Sequence, residues 1–293
     1  MLHGNNKQIV ISTEQWVKNT FNNNSWVILS PIEQSIKSKI EKYGVPLKDW
    51  DIQINYGIKT GCNEAFIIST EKRDEILANC KTEDERKRTD EIIRPILRGR
   101  DVKRYKYEWK GLWLIGLFPS RHYDIENLPA IKKYLLDFGY DRLKQTGEQG
   151  SRKKTSNKWF ETQDTIAYWE DFSKPKIIWK RVGSIIRFCY TNKPFFTLDS
   201  TCFAIGKYVN FLTFILNSQL GHFLLKDSPK TGTGDLLISV QAIEPLRIPL
   251  PKNSNELEQG LISETRESFW MNYTYENYHL TIEERDYINR IYK

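Results

Sequence analysis

An α+β fold, with a mostly antiparallel sheet flanked by helices, a helical N-terminal segment and a helical C-terminal tail, follows from three observations on this sequence. β-rich runs cluster between residues 52 and 206. Amphipathic helical runs stand on either side of them. The order lacks the strand–helix alternation of a βαβ nucleotide-binding fold. At 293 residues the chain can bury a substantial core. We divide it into a helical spacer at 1–44, a central domain at 45–252 and a helical tail at 253–293.

From the N-terminus, Ser12-Thr13-Glu14-Gln15 carries the signature of a helix start, predicting a helix through Phe21, followed by a short strand at Trp26–Leu29. Pro31 opens a second helix to about Tyr43, closed by Gly44, with Ile32, Ile36 and Ile40 on one stripe. Ile52–Tyr56 and Ala65–Ser69 read as a hairpin whose tip, Gly57 to Asn63, holds two glycines. Thr70–Asn79 and Glu83–Leu97 read as helices. Trp109–Phe118 reads as a strand and Leu128–Phe138 as a helix. Strands follow at Pro175–Val182, Ile185–Tyr190, Phe195–Leu198 and Thr201–Gly206. Asn210–Leu225 is a strongly apolar helix in which Asn217-Ser218 caps or bends the chain, and a last strand ends at Pro249-Leu250-Pro251. The tail returns to helix from Ser254, with Tyr273, Tyr275, Tyr278, Tyr287 and Tyr292 as packing rings.

Composition narrows the function. Lys and Arg number 44 against 37 Asp and Glu, a net charge of +7 that favours an anionic partner. Cys62, Cys80, Cys189 and Cys202 are scattered without a CxxC pair, arguing for reduced thiols and against zinc or a disulfide framework. The chain shows no signal-peptide core and no apolar window near the ~18 residues of a membrane span, so the expected compartment is the cytoplasm.

The basic excess is concentrated. Arg94, Arg98, Arg100, Lys103, Arg104 and Lys106 form one cluster, interrupted by Asp101. Between Asp141 and Lys158, Arg142, Lys144, Arg152, Lys153, Lys154 and Lys158 are interleaved with Gln145, Gln149, Thr155, Ser156 and Asn157. Lysine and arginine neutralise phosphates, while Arg pairs with guanine and Gln or Asn with adenine, so this mixture suits base reading. A solvated loop is the other reading of the same composition, and both stay open on composition alone.

Catalytic motifs are missing. No Gly-rich cofactor turn and no Asp/Asn-Pro-Pro-aromatic loop of an adenine methyltransferase occurs, and Asp227-Ser228-Pro229-Lys230 lacks the second proline and the ring. His3, His122, His222 and His279 are far apart, with no HExxH and no serine elbow. The Gly232 and Gly234 loop lacks the GK[ST] of a phosphate-binding loop. Asp101 with Glu108 and Lys110 matches a Mg²⁺ nuclease in letters, with acids for the metal and a lysine for the water, although a surface ion pair explains the same residues. No catalytic and no metal-ligating residue is assigned.

The strings NYGIKTGCNEAFII at 55–68, RPILRGRDVKRY at 94–105, KWFE at 158–161, FSKPKIIW at 172–179, FFTLDSTCFAI at 195–205, ILNSQL at 215–220 and PLRIPLP at 245–251 run in one order. In that order they resemble the TaqI-like C-terminal specificity domain, which follows the methyltransferase core in adenine-N6 DNA methyltransferases and fused restriction-methylation enzymes. The resemblance covers roughly residues 45–251. It implies a domain that binds double-stranded DNA, reads bases in the major groove and directs a methyltransferase supplied in cis or in trans, with S-adenosylmethionine expected for the methyltransferase part and no cofactor in this chain. Carried over by motif, Lys59, Thr60 and Asn63 fall in the first string and Arg98, Arg100 and Arg104 in the second. The segment Arg142 to Lys158 lies between motifs, and with Lys180, Arg181 and Lys230 it completes the expected DNA-binding set. Two other readings stand beside this one: a small Mg²⁺ nuclease on Asp101, Glu108 and Lys110, and a non-catalytic protein-interaction module.

Overall fold

The computed structural model describes residues 9–12, 15–17, 29–251 and 266–291. Two four-stranded sheets sit at its centre. The first is wholly antiparallel, in the order β10 (Phe188–Thr191), β8 (Lys176–Lys180), β12 (Thr201–Gly206) and β4 (Ile52–Tyr56). The second runs β11 (Phe196–Thr197), β6 (Ile93–Leu97), β7 (Leu112–Ile115) and β5 (Ile67–Ser69), antiparallel except where β11 lies parallel to β6. Short pairs join β13 (Leu236–Leu237) to β9 (Val182–Gly183) and β14 (Arg247–Ile248) to β3 (Val45–Pro46). The α+β class and the mainly antiparallel pairing agree with the sequence expectation.

The period-two alternation of the strands divides the core. Ile177, Trp179, Phe188, Cys202 and Ala204 point from the first sheet to one side. They pack there with α6 (Val209–Asn217), α7 (Gln219–Leu225) and α1 (Pro31–Tyr43), together with α9 (Glu267–Asn277) and α10 (Ile282–Ile291). Ile178, Cys189, Phe203 and Ile205 point to the other side and join the second sheet and the helices around it. Among these are α2 (Asn63–Phe66), α3 (Thr70–Ala78), α4 (Glu83–Ile92) and α5 (Pro129–Leu143). Burial on both faces explains why Lys176–Trp179 is an unbroken buried run. Lys176 is tolerated there because its ammonium donates to the carbonyls of Phe172, Lys174 and Lys193.

Helix ends follow their caps. Ser30 accepts from the Glu33 backbone and Glu33 reaches back to Ser30, a capping box with Pro31 in the first turn. Ser218 ends α6 and caps α7, accepting from Gly221 N–H, so the apolar run read as one helix from Asn210 to Leu225 is two. The α5 helix extends past the expected end at Phe138, turning at Gly139, where φ is 128°.

Four expectations are corrected. The chain forms strands β1 (Ile9–Ser12) and β2 (Gln15–Val17), an antiparallel pair, where a helix was expected from Ser12. Ile52–Tyr56 and Ala65–Ser69 are not a hairpin: β4 pairs with β12 in one sheet and β5 with β7 in the other, and Asn63–Phe66 is a helical turn. The helix expected over Glu83–Leu97 stops at Ile92, after which β6 runs through Pro95. The strand expected over Trp109–Phe118 spans only Leu112–Ile115. The strand read at Trp26–Leu29, apart from Leu29, and the start of the tail at Ser254 lie outside the described residues, as do His3 and Tyr292.

Candidate nucleic-acid interface

The chain crossing between the two sheets brings several segments together. Gly57 N–H donates to Thr201 O, Ile58 N–H to Thr197 O and Asp199 N–H to Ile58 O, stitching the end of β4 to the 197–201 turn. Gly57 is required by proximity: a Cβ there would stand 2.0 Å from Leu198 O. Arg181 N–H donates to Ser200 O, and Gly99 N–H donates to Ser200 Oγ, which brings the end of β8 and the 3-10 turn Gly99–Asp101 to the same place. The 163–164 segment closes the other side, with Gln163 N–H on Thr60 O and Asp164 N–H on Lys59 O. Asp164 Oδ2 in turn accepts from Lys59 N–H at 2.9 Å. Burial raises the Asp164 carboxyl above its ordinary value, against the pull of that Lys59 N–H.

Beside Thr60 stands an arm from Lys144 to Lys158. It doubles back on itself through Arg152 N–H to Lys144 O, Gly147 N–H to Arg152 O and Thr155 N–H to Gln145 O. Its inner side is fixed by two side chains that had been assigned to DNA. Arg152 is only 2% exposed and donates to the carbonyls of Leu143, Thr60, Glu161 and Trp159. Burial lowers its pKa to about 10, leaving it charged at neutral pH. Gln145 is 6% exposed, donating to Lys158 O and Glu161 O and accepting from Thr155. Both are corrections: four carbonyls satisfy the guanidinium fork, and the amide has no face left for a base.

Other expected contacts are also engaged within the chain. Thr60 is 1% exposed and donates to Asn63 Oδ1. Arg98 forks onto both oxygens of Asp101 at 2.9 Å, and Lys144 pairs with Asp141 and Glu148. Arg104 pairs with Glu267 of α9, which also accepts from Tyr105, so this cation ties the tail to the body. The nuclease letters meet the same end. Asp101 is buried against Arg98, while Glu108 and Lys110 face each other at the surface at 3.5 Å. Among the described residues no cluster of three or more His, Cys, Asp or Glu is placed to hold a metal.

The remaining cations stay outward. Lys59, Arg100, Arg142, Lys153, Lys154, Lys158, Lys180 and Lys230 are exposed, as is Gln149. Lys180 lies along Gly183, and β9 pairs with β13, whose Leu236 also bridges to Lys230. Arg181 is half-buried over the ring of Tyr56, with its Nε lacking a hydrogen-bond partner among the described residues. Sequence reasoning missed Asp164, Ser200 and Tyr168, whose hydroxyl donates to Tyr56 O. Only long-range contacts bring these three to the surface, so no local spacing signals them.

Residues 94–248, just over half of the chain, match the family model of the TaqI-like C-terminal specificity domain. The NYGIKTGCNEAFII string lies before the matched region. Among solved structures, the type IIL restriction-modification enzyme MmeI in complex with DNA superposes with a TM-score of 0.50 at 11% identity, over 84% of this chain and 36% of that one. The type IIG restriction endonuclease BpuSI gives a TM-score of 0.46 at 15% identity, over 84% of this chain and 28% of that one. The chain thus spans about a third of the length of these proteins, and at such identity the MmeI likeness is one of fold. No curated protein matches the sequence. With more than half its length matched in one continuous stretch, the chain belongs to the TaqI-like C-terminal specificity domain family.

Proposed function

We propose that this chain is the DNA sequence-reading part of a restriction-modification enzyme, and that it directs an adenine-N6 methyltransferase, in cis or in trans, that uses S-adenosylmethionine. The observation that carries the reading is the separation of cations within the basic segments. Arg98, Arg104, Lys144 and Arg152 are spent on internal partners, whereas Lys59, Arg100, Lys180 and Lys230 remain outward around one crossing, beside the arm bearing Lys153, Lys154 and Lys158. In this reading the outward lysines serve phosphates, and Gln149 at the arm's tip, with Arg100, Arg142 and Arg181, reads base edges. MmeI, with about a third of which this chain shares its fold, is known in complex with DNA.

Fluorescence anisotropy with a randomised duplex pool at two salt concentrations, followed by sequencing of the bound fraction, tests it. With about five phosphate contacts, log K falls against log salt with a slope near −4.5. Replacing Lys153, Lys154 and Lys158 together by Ala reduces that slope by about 2 to 3 and weakens binding to all sequences alike. Gln149→Ala changes the preference at one base pair, by about 1–3 kcal/mol. Duplex binding that is indifferent to salt and to the three lysines contradicts the proposal.

A further inference from the structure

A cavity of about 320 Å³ opens between α4, the second sheet and the Pro119–Asn127 turns. Three guanidinium groups line it, those of Arg88, Arg94 and Arg121. None of the three forms an ion pair among the described residues, in a chain where Arg73, Arg98 and Arg104 all do. The backbone of Arg94 is fixed in β6, opposite Leu114 of β7. Arg121 Cζ lies over the ring of Trp169, 4.1 Å from its centroid, and 5.9 Å from that of Tyr123. Such anchoring lowers the entropy lost when a guanidinium meets an anion.

The lining also includes the carboxylates of Glu91 and Asp124, and Asp124 accepts from Glu126 N–H at 3.0 Å. A bare anion would meet these carboxylates with repulsion. A ligand carrying both an anionic group and hydroxyl or amino donors suits both halves of the lining. The volume falls in the range of small-molecule sites, far above the need of one phosphate ion. A phosphodiester on a duplex rim requires no such concavity.

We propose that this pocket binds a nucleoside monophosphate, with Arg88, Arg94 and Arg121 on the phosphoryl group and Asp124 and Glu91 on donor groups of the nucleoside. Its lining includes no residue of the arm, and the inference does not depend on the DNA-reading assignment. Calorimetric titration of the intact chain with the four ribonucleoside monophosphates, with the unphosphorylated nucleosides and with inorganic phosphate reads it out. At least one monophosphate binds tenfold or more tightly than its nucleoside and than phosphate. Arg94→Gln and Arg121→Gln each weaken that binding at least tenfold, Arg94→Lys retains part of it, and Lys207→Ala, at a surface pair with Asp51, leaves it unchanged. Melting curves confirm that the variants are folded. Monophosphates that bind no better than nucleosides, or binding untouched by both glutamine variants, would overturn the proposal. So would variants that weaken duplex DNA binding while no monophosphate binds, an outcome assigning the arginines to the DNA backbone.

Discussion

Arg152 shows how charge alone misleads at the scale of a residue. In sequence it heads the run Arg152-Lys153-Lys154, yet its guanidinium is buried and shared among four carbonyls from three stretches of chain, while its two neighbours are exposed. Arg152→Met retains much of the apolar stem; Thr60 O keeps Gln163 N–H and Glu161 O keeps Gln145 Nε2, but Leu143 O and Trp159 O lose their donor, each at about 1–3 kcal/mol, so a loss of roughly 2–5 kcal/mol is expected. Denaturant unfolding reads this directly, and a change below about 0.5 kcal/mol would mean that water replaces the guanidinium at no cost. Asp101 makes a second case. Burial opposes its ionisation, but the Arg98 fork and Arg98 N–H outweigh burial and hold its carboxyl below the ordinary aspartate value. A depressed folded pKa adds stability above the unfolded value near 4 that is lost as pH falls through the folded one. Asp101→Asn should therefore cost about 1.5–3 kcal/mol at pH 7, and its deficit against the parent should shrink as pH falls below about 4. A deficit that is constant with pH would show that shape and not charge makes the contact.

At the scale of elements, what the sequence disclosed and what it hid have separate physical origins. The α1 helix was legible because its signals are local: Ser30, Pro31 and Glu33 at the start and the Ile36 and Ile40 stripe, both buried. The strands around Ile177 and Phe203 were legible from composition, but the full sheet order was not, since β12 also pairs with β4 far back in the chain, Phe203 opposite Asn55. Hence Ile52–Tyr56 was given its sequence neighbour and took β12 instead. The stop at Ile92 had a signal, Pro95, which removes a helical hydrogen bond and suits a strand, but the charged run before it masked the change of period. Of the interface, the outward lysines were legible and the committed cations were not, because commitment depends on which carbonyls and carboxylates arrive from elsewhere. Gly57 carries the test at this scale. It reads as a flexible turn residue, yet its φ is not in the left-handed region and its constraint is the approach of Leu198 O. Gly57→Ala should lose at least ~3 kcal/mol by forcing the two sheets apart, whereas Gly232→Ala, with open space around it, should be near neutral. Equal melting temperatures for these two variants would refute the close-approach account.

Over the whole molecule, the family match ends before the fold does. Residues 94–248 carry the family signature, but α6 and α7, which stand on the helical side of the first sheet, are themselves packed by α9 and α10, which with α1 lie outside it. Trp270, Tyr275, Tyr278, Leu280 and Ile288 are all buried, and the Tyr278 hydroxyl donates to Arg247 O. Glu284 accepts from Ser35 and Lys39 of α1, while Glu267 holds Arg104 and Tyr105. Five buried side chains at about 1.5–3 kcal/mol each amount to the whole stability of an ordinary domain, about 5–15 kcal/mol. A chain ending at residue 265 should therefore lose cooperative unfolding and expose the apolar face of α6, detectable as dye binding and a missing calorimetric transition. A truncated chain that melts within a few degrees of the parent would show the tail to be an appendage. If the transition is lost, any exchange of this specificity domain between enzymes must carry residues 31–43 and 266–291 with the sheets, because Phe211 of α6 packs against Trp270 and Tyr273 of the tail.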